Sequence, residues 1–181
     1  SLIAVRGLDA SLKYYPLVEN THHEGILRLT IAPAQNIPKS LQKKAEEYMH
    51  SLINEMDHVG VMTLELFDSS DELIVNEIAP RVHNSGHWTI EGAQTSQFEN
   101  HIRAITNSPL GATSIKSSFN AMINIIGMHG QTSKVLETKN AHLHLYDKEE
   151  RKGRKLGHIT LTSNSMEELN KSIDSLKEYL P

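Results

Sequence analysis

The chain has 181 residues, 38% of them hydrophobic, which suits one medium domain or a domain with a small appendage. With 18 basic against 22 acidic residues and a net charge of −4, nothing global points to nucleic acid or an anionic membrane as partner. Cysteine is absent, which excludes disulfides and thiolate metal sites; no apolar run is long enough to span a bilayer and no signal-peptide pattern opens the chain, so the default is a soluble cytoplasmic protein.

Apolar residues dominate 1–6, which reads as a strand entered partway along, as expected of a piece of a longer protein; an edge strand at a true terminus is the alternative. A second strand is expected over 11–18 after a turn at Gly7-Leu8-Asp9. The polar stretch 20–25, with His22 and His23, reads as a connection to a strand at 26–31. Pro38 opens a helix whose buried face would carry Leu41, Ala45, Tyr48, Met49, Leu52, Ile53 and Met56. Strands at 59–67 and 73–78 flank a hairpin tip at Ser69-Ser70-Asp71-Glu72. A long polar loop runs over 80–94. Ser96 and Glu99 then form a capping box for a helix with Phe98, Ile102 and Ile105 on its apolar face.

Composition shifts at Asn107-Ser108-Pro109-Leu110-Gly111, which divides the chain into units 1–108 and 109–181. Short strands are expected at 122–126, 142–146 and 158–162. A second capping box, Ser165 with Glu168, starts a last helix with Leu169, Ile173, Leu176 and Leu180 as its buried stripe. The order of elements implies an α+β fold.

The hairpin is the most informative stretch. Glu65 and Glu77 each sit inside an apolar strand, and burying a carboxylate is costly without a cation or hydrogen bonds. In a regular hairpin with a four-residue loop, Glu65 pairs with Asn76 and Glu77 turns to the other face. A shared site therefore requires an odd loop or a bulge. Oxygen ligands alone favour magnesium or manganese. Two carboxylates on the solvent side of an amphipathic hairpin is the alternative, and spacing does not decide between them.

Directly after the second carboxylate come Arg81, His83, Asn84 and Gly86, a guanidinium, an imidazole, an amide and a flexible backbone position. That set suits a small planar oxyanion beside metal-bound phosphates. Zinc held by His83 and His87 would need a helix, against which Asn84-Ser85-Gly86 argues. Trp88 reads as a packing anchor. Near the C-terminus, five of eight residues from Lys148 to Lys155 are basic, as either a solvated turn or a phosphate clamp.

Gly60-Val61-Met62-Thr63-Leu64-Glu65-Leu66-Phe67 and Asn76-Glu77-Ile78-Ala79-Pro80-Arg81-Val82-His83-Asn84-Ser85-Gly86-His87-Trp88-Thr89 resemble the signature of the 5-(carboxyamino)imidazole ribonucleotide synthases, the PurK family of ATP-grasp ligases. The resemblance continues through Gln97-Phe98-Glu99 and Pro109-Leu110-Gly111. It implies the C-terminal lobe of an ATP-grasp fold, an antiparallel sheet with helices, followed by a small β-rich domain. It further implies that Glu65 and Glu77 hold Mg2+ or Mn2+ bridging ATP phosphates, with His22, Asn76 and Glu77 in the nucleotide site. Arg81, His83 and Asn84 would hold bicarbonate and the carboxyphosphate made from it. Lys148, Arg151 and Arg154 would hold the phosphate of aminoimidazole ribonucleotide, with Lys155 a further candidate. The family's usual state is a homodimer. No glycine-rich loop precedes a helix here, so the chain alone is expected to turn over no ATP. Formate-dependent glycinamide ribonucleotide formyltransferase and biotin carboxylase share the paired carboxylates but are expected to differ after Pro80-Arg81. A non-catalytic module that binds phosphate ligands through 148–155 would not require Glu65 and Glu77 to converge.

Overall fold

The computed structural model describes residues 1–69 and 72–180; the expected tip residues Ser70 and Asp71 lie outside the described residues. Two antiparallel sheets form the frame. The first has four strands in the order β2-β1-β5-β6: β1 Leu2–Arg6, β2 Leu12–Tyr14, β5 Gly60–Ser69 and β6 Glu72–Ala79. The second has five in the order β3-β4-β7-β9-β8: β3 Glu19–His23, β4 Ile26–Ala32, β7 Phe119–Ile126, β8 Ala141–Leu145 and β9 Lys155–Ser163.

Period-two alternation builds three cores. On β1, Ile3 and Val5 face a layer with Val61, Leu27, Met122 and Trp88, whereas Leu2 and Ala4 face the other way onto helix α1 (Lys39–Glu55). Trp88 is fully buried, the anchor its position suggested. On the outer face of the second sheet, Ala121, Ile123, Ile159 and Leu161 pack against Leu169 and Ile173 of α5 (Met166–Ser175).

Mixed helix and antiparallel sheet is the expected fold class. Several local expectations are corrected. The second strand covers only Leu12–Tyr14, because Pro16 has no N–H to give a ladder. The polar stretch around His22 is strand β3, not a connection. It is an edge strand held by backbone pairing to β4, with a two-residue turn at Glu24 and Gly25, both at positive φ. The loop after Pro80 contains a 3-10 turn, Asn84–Gly86, and one turn of helix, α2 (Thr89–Gly92). On α1, Leu41, Ala45, Met49 and Ile53 are buried but Tyr48 and Met56 are exposed.

Helix α3 (Gln97–Ile105) is capped by Ser96 as expected, yet its face is inverted. Gln97, Asn100 and Ala104 are buried, and Phe98, Ile102 and Ile105 are exposed. Hydrogen bonding explains the reversal. Asn100 donates to the Tyr15 hydroxyl at 2.9 Å and accepts from the Gly111 N–H at 2.8 Å, while Gln97 holds the loop around His83. A fourth helix, α4 (Thr132–Glu137), was not foreseen. Strand β4 pairs with β7 across the composition shift at 107–111, so the second sheet draws on both halves of the sequence.

Candidate functional site

The β5–β6 hairpin carries the carboxylates. Near the tip, Ser69 pairs with Glu72 and Leu66 with Val75, a register that would set Asn76 against Glu65. A bulge at Asn76 shifts it, and Glu65 stands directly opposite Glu77. Directly opposed residues share a face, with Cβ atoms about 5 Å apart in such pairs. The Glu65 side chain is only 15% exposed, whereas Glu77 and Asn76 are open to solvent.

The loop after β6 packs against Glu65. His83 is buried, and its Nε2 lies 3.7 Å from Glu65 Oε1, beyond hydrogen-bond length. On the ring's other side, Nδ1 accepts from the Ser85 N–H at 3.3 Å and meets the Ser85 hydroxyl at 2.8 Å. Nδ1 is thus the acceptor, and the single proton of the neutral ring sits on Nε2, facing Glu65. Burial, helped by the nearby Arg81 and Lys155 charges, pushes His83 down to about 4.

Gln97 fixes this loop. Its Oε1 accepts from the His83 N–H at 2.9 Å and its Nε2 donates to the His83 carbonyl at 2.6 Å. Its own N–H donates to Thr89 Oγ1, whose hydroxyl donates to the Gly86 carbonyl at 2.6 Å. Asn84 is tied from the other side. Its Nδ2 donates to Asn124 Oδ1 at 2.9 Å and its Oδ1 accepts from Asn124 Nδ2 at 2.7 Å. Both amide atoms of Asn84 therefore engage β7 rather than pointing at the carboxylates. Arg81 is exposed, and its Nη1 donates to the Val82 carbonyl at 3.0 Å.

The basic segment divides in two. Residues 147–154 form a turn between β8 and β9, exposed except for the half-buried Arg154, and closed by a hydrogen bond from the Arg154 N–H to the Arg151 carbonyl at 3.0 Å. Gly153, at φ +73, supplies the left-handed position of that turn. Lys148 sits over the Tyr146 ring, 5.2 Å from its centroid. The Arg151 side chain is exposed, and Arg154 Nη1 makes a long 3.5 Å contact to the Glu149 carbonyl. Lys155, by contrast, is half-buried on β9 within electrostatic reach of Glu65, Glu77 and Arg81. Burial lowers its ammonium; Glu65 and Glu77 oppose that shift, and Arg81 and Lys148 add to it.

Between turn and loop lies a layer of rings absent from the sequence reading. His144 and His158, paired across β8 and β9, stack at 4.4 Å with a 7° tilt. His158 Nδ1 lies 2.7 Å from the Tyr146 hydroxyl, and His144 Nε2 lies 2.8 Å from Glu91. Burial pushes His158 down to about 3 and His87 to about 4. The signal was the alternation His142-Leu143-His144-Leu145-Tyr146, which puts His144 and Tyr146 on one face.

A cavity of about 480 Å³ opens beside the hairpin, lined by Glu65 and Asn76 together with His22, Leu17, Ile37 and Leu66. The structure thus brings His22, Glu65 and Asn76 to one cavity, and Glu65, Glu77, Arg81, His83 and Lys155 to one charged cluster. Arg151 and Arg154 stay in the turn at 147–154, Arg151 exposed and Arg154 half-buried. Among the described residues no group of three or more His, Asp or Glu side chains is arranged to hold a metal ion. Two carboxylates with a neutral amide beside them fit a hard cation that takes its remaining ligands from phosphate and water.

The family model for the ATP-grasp domain matches residues 1–98, and the chain belongs to the ATP-grasp family. Residues 120–172 match the phosphoribosylaminoimidazole carboxylase C-terminal domain. The chain is 49% identical over 161 residues to the N5-carboxyaminoimidazole ribonucleotide synthase of Pseudomonas aeruginosa, covering 89% of this chain and 44% of the relative. Its backbone superposes on the Thermus thermophilus N5-carboxyaminoimidazole ribonucleotide synthetase with a TM-score of 0.96 at 50% identity, over 98% of this chain and 49% of the other. The Aspergillus clavatus enzyme, solved with ADP and 5-aminoimidazole ribonucleotide, gives 0.87 at 35% identity, over 99% and 49%. The chain spans about half the length of the curated relatives it matches.

Proposed function

We propose that this chain is the C-terminal part of an ATP-dependent carboxylating ligase that makes 5-(carboxyamino)imidazole ribonucleotide, ADP and phosphate from aminoimidazole ribonucleotide, bicarbonate and ATP. The observation that carries the reading is the Asn76 bulge, which turns Glu65 and Glu77 onto one face beside Arg81 and Lys155. A phosphate-binding module without catalysis has no need of that convergence. The intact run from Val82 to Trp88, with its fixed loop, favours this ligase over the formyltransferase and the biotin carboxylase.

In this reading Glu65 and Glu77 would hold Mg2+ or Mn2+, which offsets phosphate charge when bound. ATP occupies the cavity lined by His22 and Asn76. A bicarbonate oxygen bonds to the γ-phosphorus as the bond to the ADP bridging oxygen breaks, leaving its electron pair on ADP. The exocyclic amine of the ribonucleotide then bonds to the carboxyl carbon of carboxyphosphate. The carbon–oxygen bond breaks, phosphate leaves with the electron pair, and the proton that the amine gives up passes to the departing phosphate.

Arg81 holds the bicarbonate-derived oxyanion through its planar fork. His83, neutral near pH 7, keeps its Nε2–H on the side of Glu65 and contributes a neutral polar wall to the site. Asn84 sets the loop through Asn124. Lys148, with Arg151 and Arg154 in the same turn, takes the ribonucleotide phosphate. We place the boundary between the two units at residue 108, between the stretches that the two family models match.

The test is a fusion of this chain behind the first half of the Pseudomonas aeruginosa relative. It should release ADP in a reaction that requires bicarbonate and aminoimidazole ribonucleotide, and Glu77→Gln should lower kcat about a hundredfold or more. The unfused chain should release no ADP. Full activity in the Glu77→Gln fusion would sink the reading. Mn2+ binding by the unfused chain, followed by electron paramagnetic resonance, should weaken in the same variant.

A further inference from the structure

Lys155 belongs by sequence to the basic turn but not by position. Along β9, strict alternation would put Lys155 on the face of Ile159 and Leu161, inside the apolar core. A register shift prevents this. Ile125 pairs with Gly157 and Ile126 with Lys155, leaving Leu156 as the extra residue of a bulge. Leu156 turns into the core with Ile159 and Leu161, and Lys155 moves to the opposite face, the one that carries His158. On that face Asn124, the cross-strand partner of His158, holds Asn84 of the loop that carries Arg81 and His83, so that loop lies over the same side of the sheet as Lys155. The charges of Glu65, Glu77 and Arg81 act on the Lys155 ammonium there.

We propose that the Lys155 ammonium touches the oxyanion at the reacting centre, between the Glu65–Glu77 pair and Arg81, and is not part of the ribonucleotide phosphate clamp. This rests on the ligase reading above and adds a catalytic residue to it. The chemistry favours such a group. Once the two carboxylates are engaged by a cation, the half-buried ammonium beside them has its donors directed at phosphoryl and carboxyl oxygens. The charge that develops there is largest in the transition state, so its effect falls on kcat. Lys148 of the turn, itself set over Tyr146, acts on the Lys155 ammonium, so the centre and the clamp adjoin. A ribonucleotide with its amine at the centre and its phosphate at the turn would span both.

The experiment uses the fusion protein and compares Lys155→Met, Lys155→Arg and Lys148→Ala. ADP release is measured at saturating ATP and bicarbonate while aminoimidazole ribonucleotide is varied. Lys155→Met should lower kcat by about 10²- to 10³-fold and leave KM for the ribonucleotide within about threefold. Lys155→Arg, which keeps the charge, should recover part of the loss. Lys148→Ala should do the reverse, raising KM about tenfold or more with little change in kcat. Trp88 fluorescence and the melting temperature check that each variant folds. A Lys155→Met variant that raises KM as Lys148→Ala does, with kcat kept, overturns the assignment, and so does one that changes neither. If the parent fusion shows no bicarbonate-dependent ADP release, or Glu77→Gln retains it, the ligase reading itself fails and this assignment fails with it.

Discussion

Three buried imidazoles should make this protein acid-labile well above the range where carboxylates titrate. Burial holds His83 and His87 down to about 4 and His158 to about 3, against about 6.5 in an unfolded chain. The unfolded state therefore binds protons first as pH falls, and stability drops with it. The loss begins near 6.5 and stops only below the folded values. Between pH 7 and pH 5 the unfolded chain gains most of a proton at each histidine while the folded one gains almost none. Linkage gives about 2 kcal/mol per histidine over that window, or about 5–6 kcal/mol for the three. That is a large part of the roughly 5–15 kcal/mol that holds a typical domain. Asp9 and Glu150, whose carboxyls are held low by hydrogen bonds to Ser11 and His129, lose their contribution only at lower pH. The assay is urea unfolding followed through Trp88, the single tryptophan and a fully buried one. Unfolding free energy should fall steeply from pH 7 to pH 5, and His158→Gln should remove about a third of that slope whatever it does to stability at pH 7. An unchanged slope in His158→Gln, or a His158 imidazole that titrates near 6.5 by NMR, would refute the reasoning.

Gln97→Leu should destabilise by about 3 kcal/mol, since it strands the buried N–H and carbonyl of His83, and amide exchange should speed up across the loop at 83–88. Gly157→Ala places a Cβ against the His144 carbonyl on the adjoining strand; the melting temperature should fall by about 10 °C as β8 and β9 separate. Asn124→Leu removes both partners of Asn84 and the donor to the Leu27 carbonyl. It should cost about 2 kcal/mol in urea unfolding and, in the fusion, reduce kcat more than KM.

Much of the fold was legible wherever one simple rule governed a segment. Pro38 opened α1, Ser96 and Ser165 capped their helices, and alternation located β8. The rules failed where a buried hydrogen bond outweighed hydrophobicity. In α3, Gln97 and Asn100 face inward because each satisfies backbone or hydroxyl groups that have no water, and the apolar stripe of Phe98, Ile102 and Ile105 is left outside. Strand β3 was missed because edge pairing needs no apolar residue at all.

The site shows the same limit in a sharper form. Both of its main charged strands depend on one extra residue. At Asn76 the bulge was foreseeable, because two carboxylates on neighbouring strands demanded a common face. At Leu156 the same kind of clue is present. A regular β9 would have buried Lys155 among Ile159 and Leu161 and pushed Leu156 out toward the histidines, an arrangement wrong for both residues. A slip of one residue corrects both at once, since each position beyond a bulge changes face. An inverted polar–apolar pair at the end of a strand is therefore a sign of a bulge, and here it marks the strand that delivers a cation to the carboxylate pair. The turn beyond it, with Lys148, Arg151 and Arg154, looked like one charge cluster with Lys155 only because sequence proximity hides the change of face.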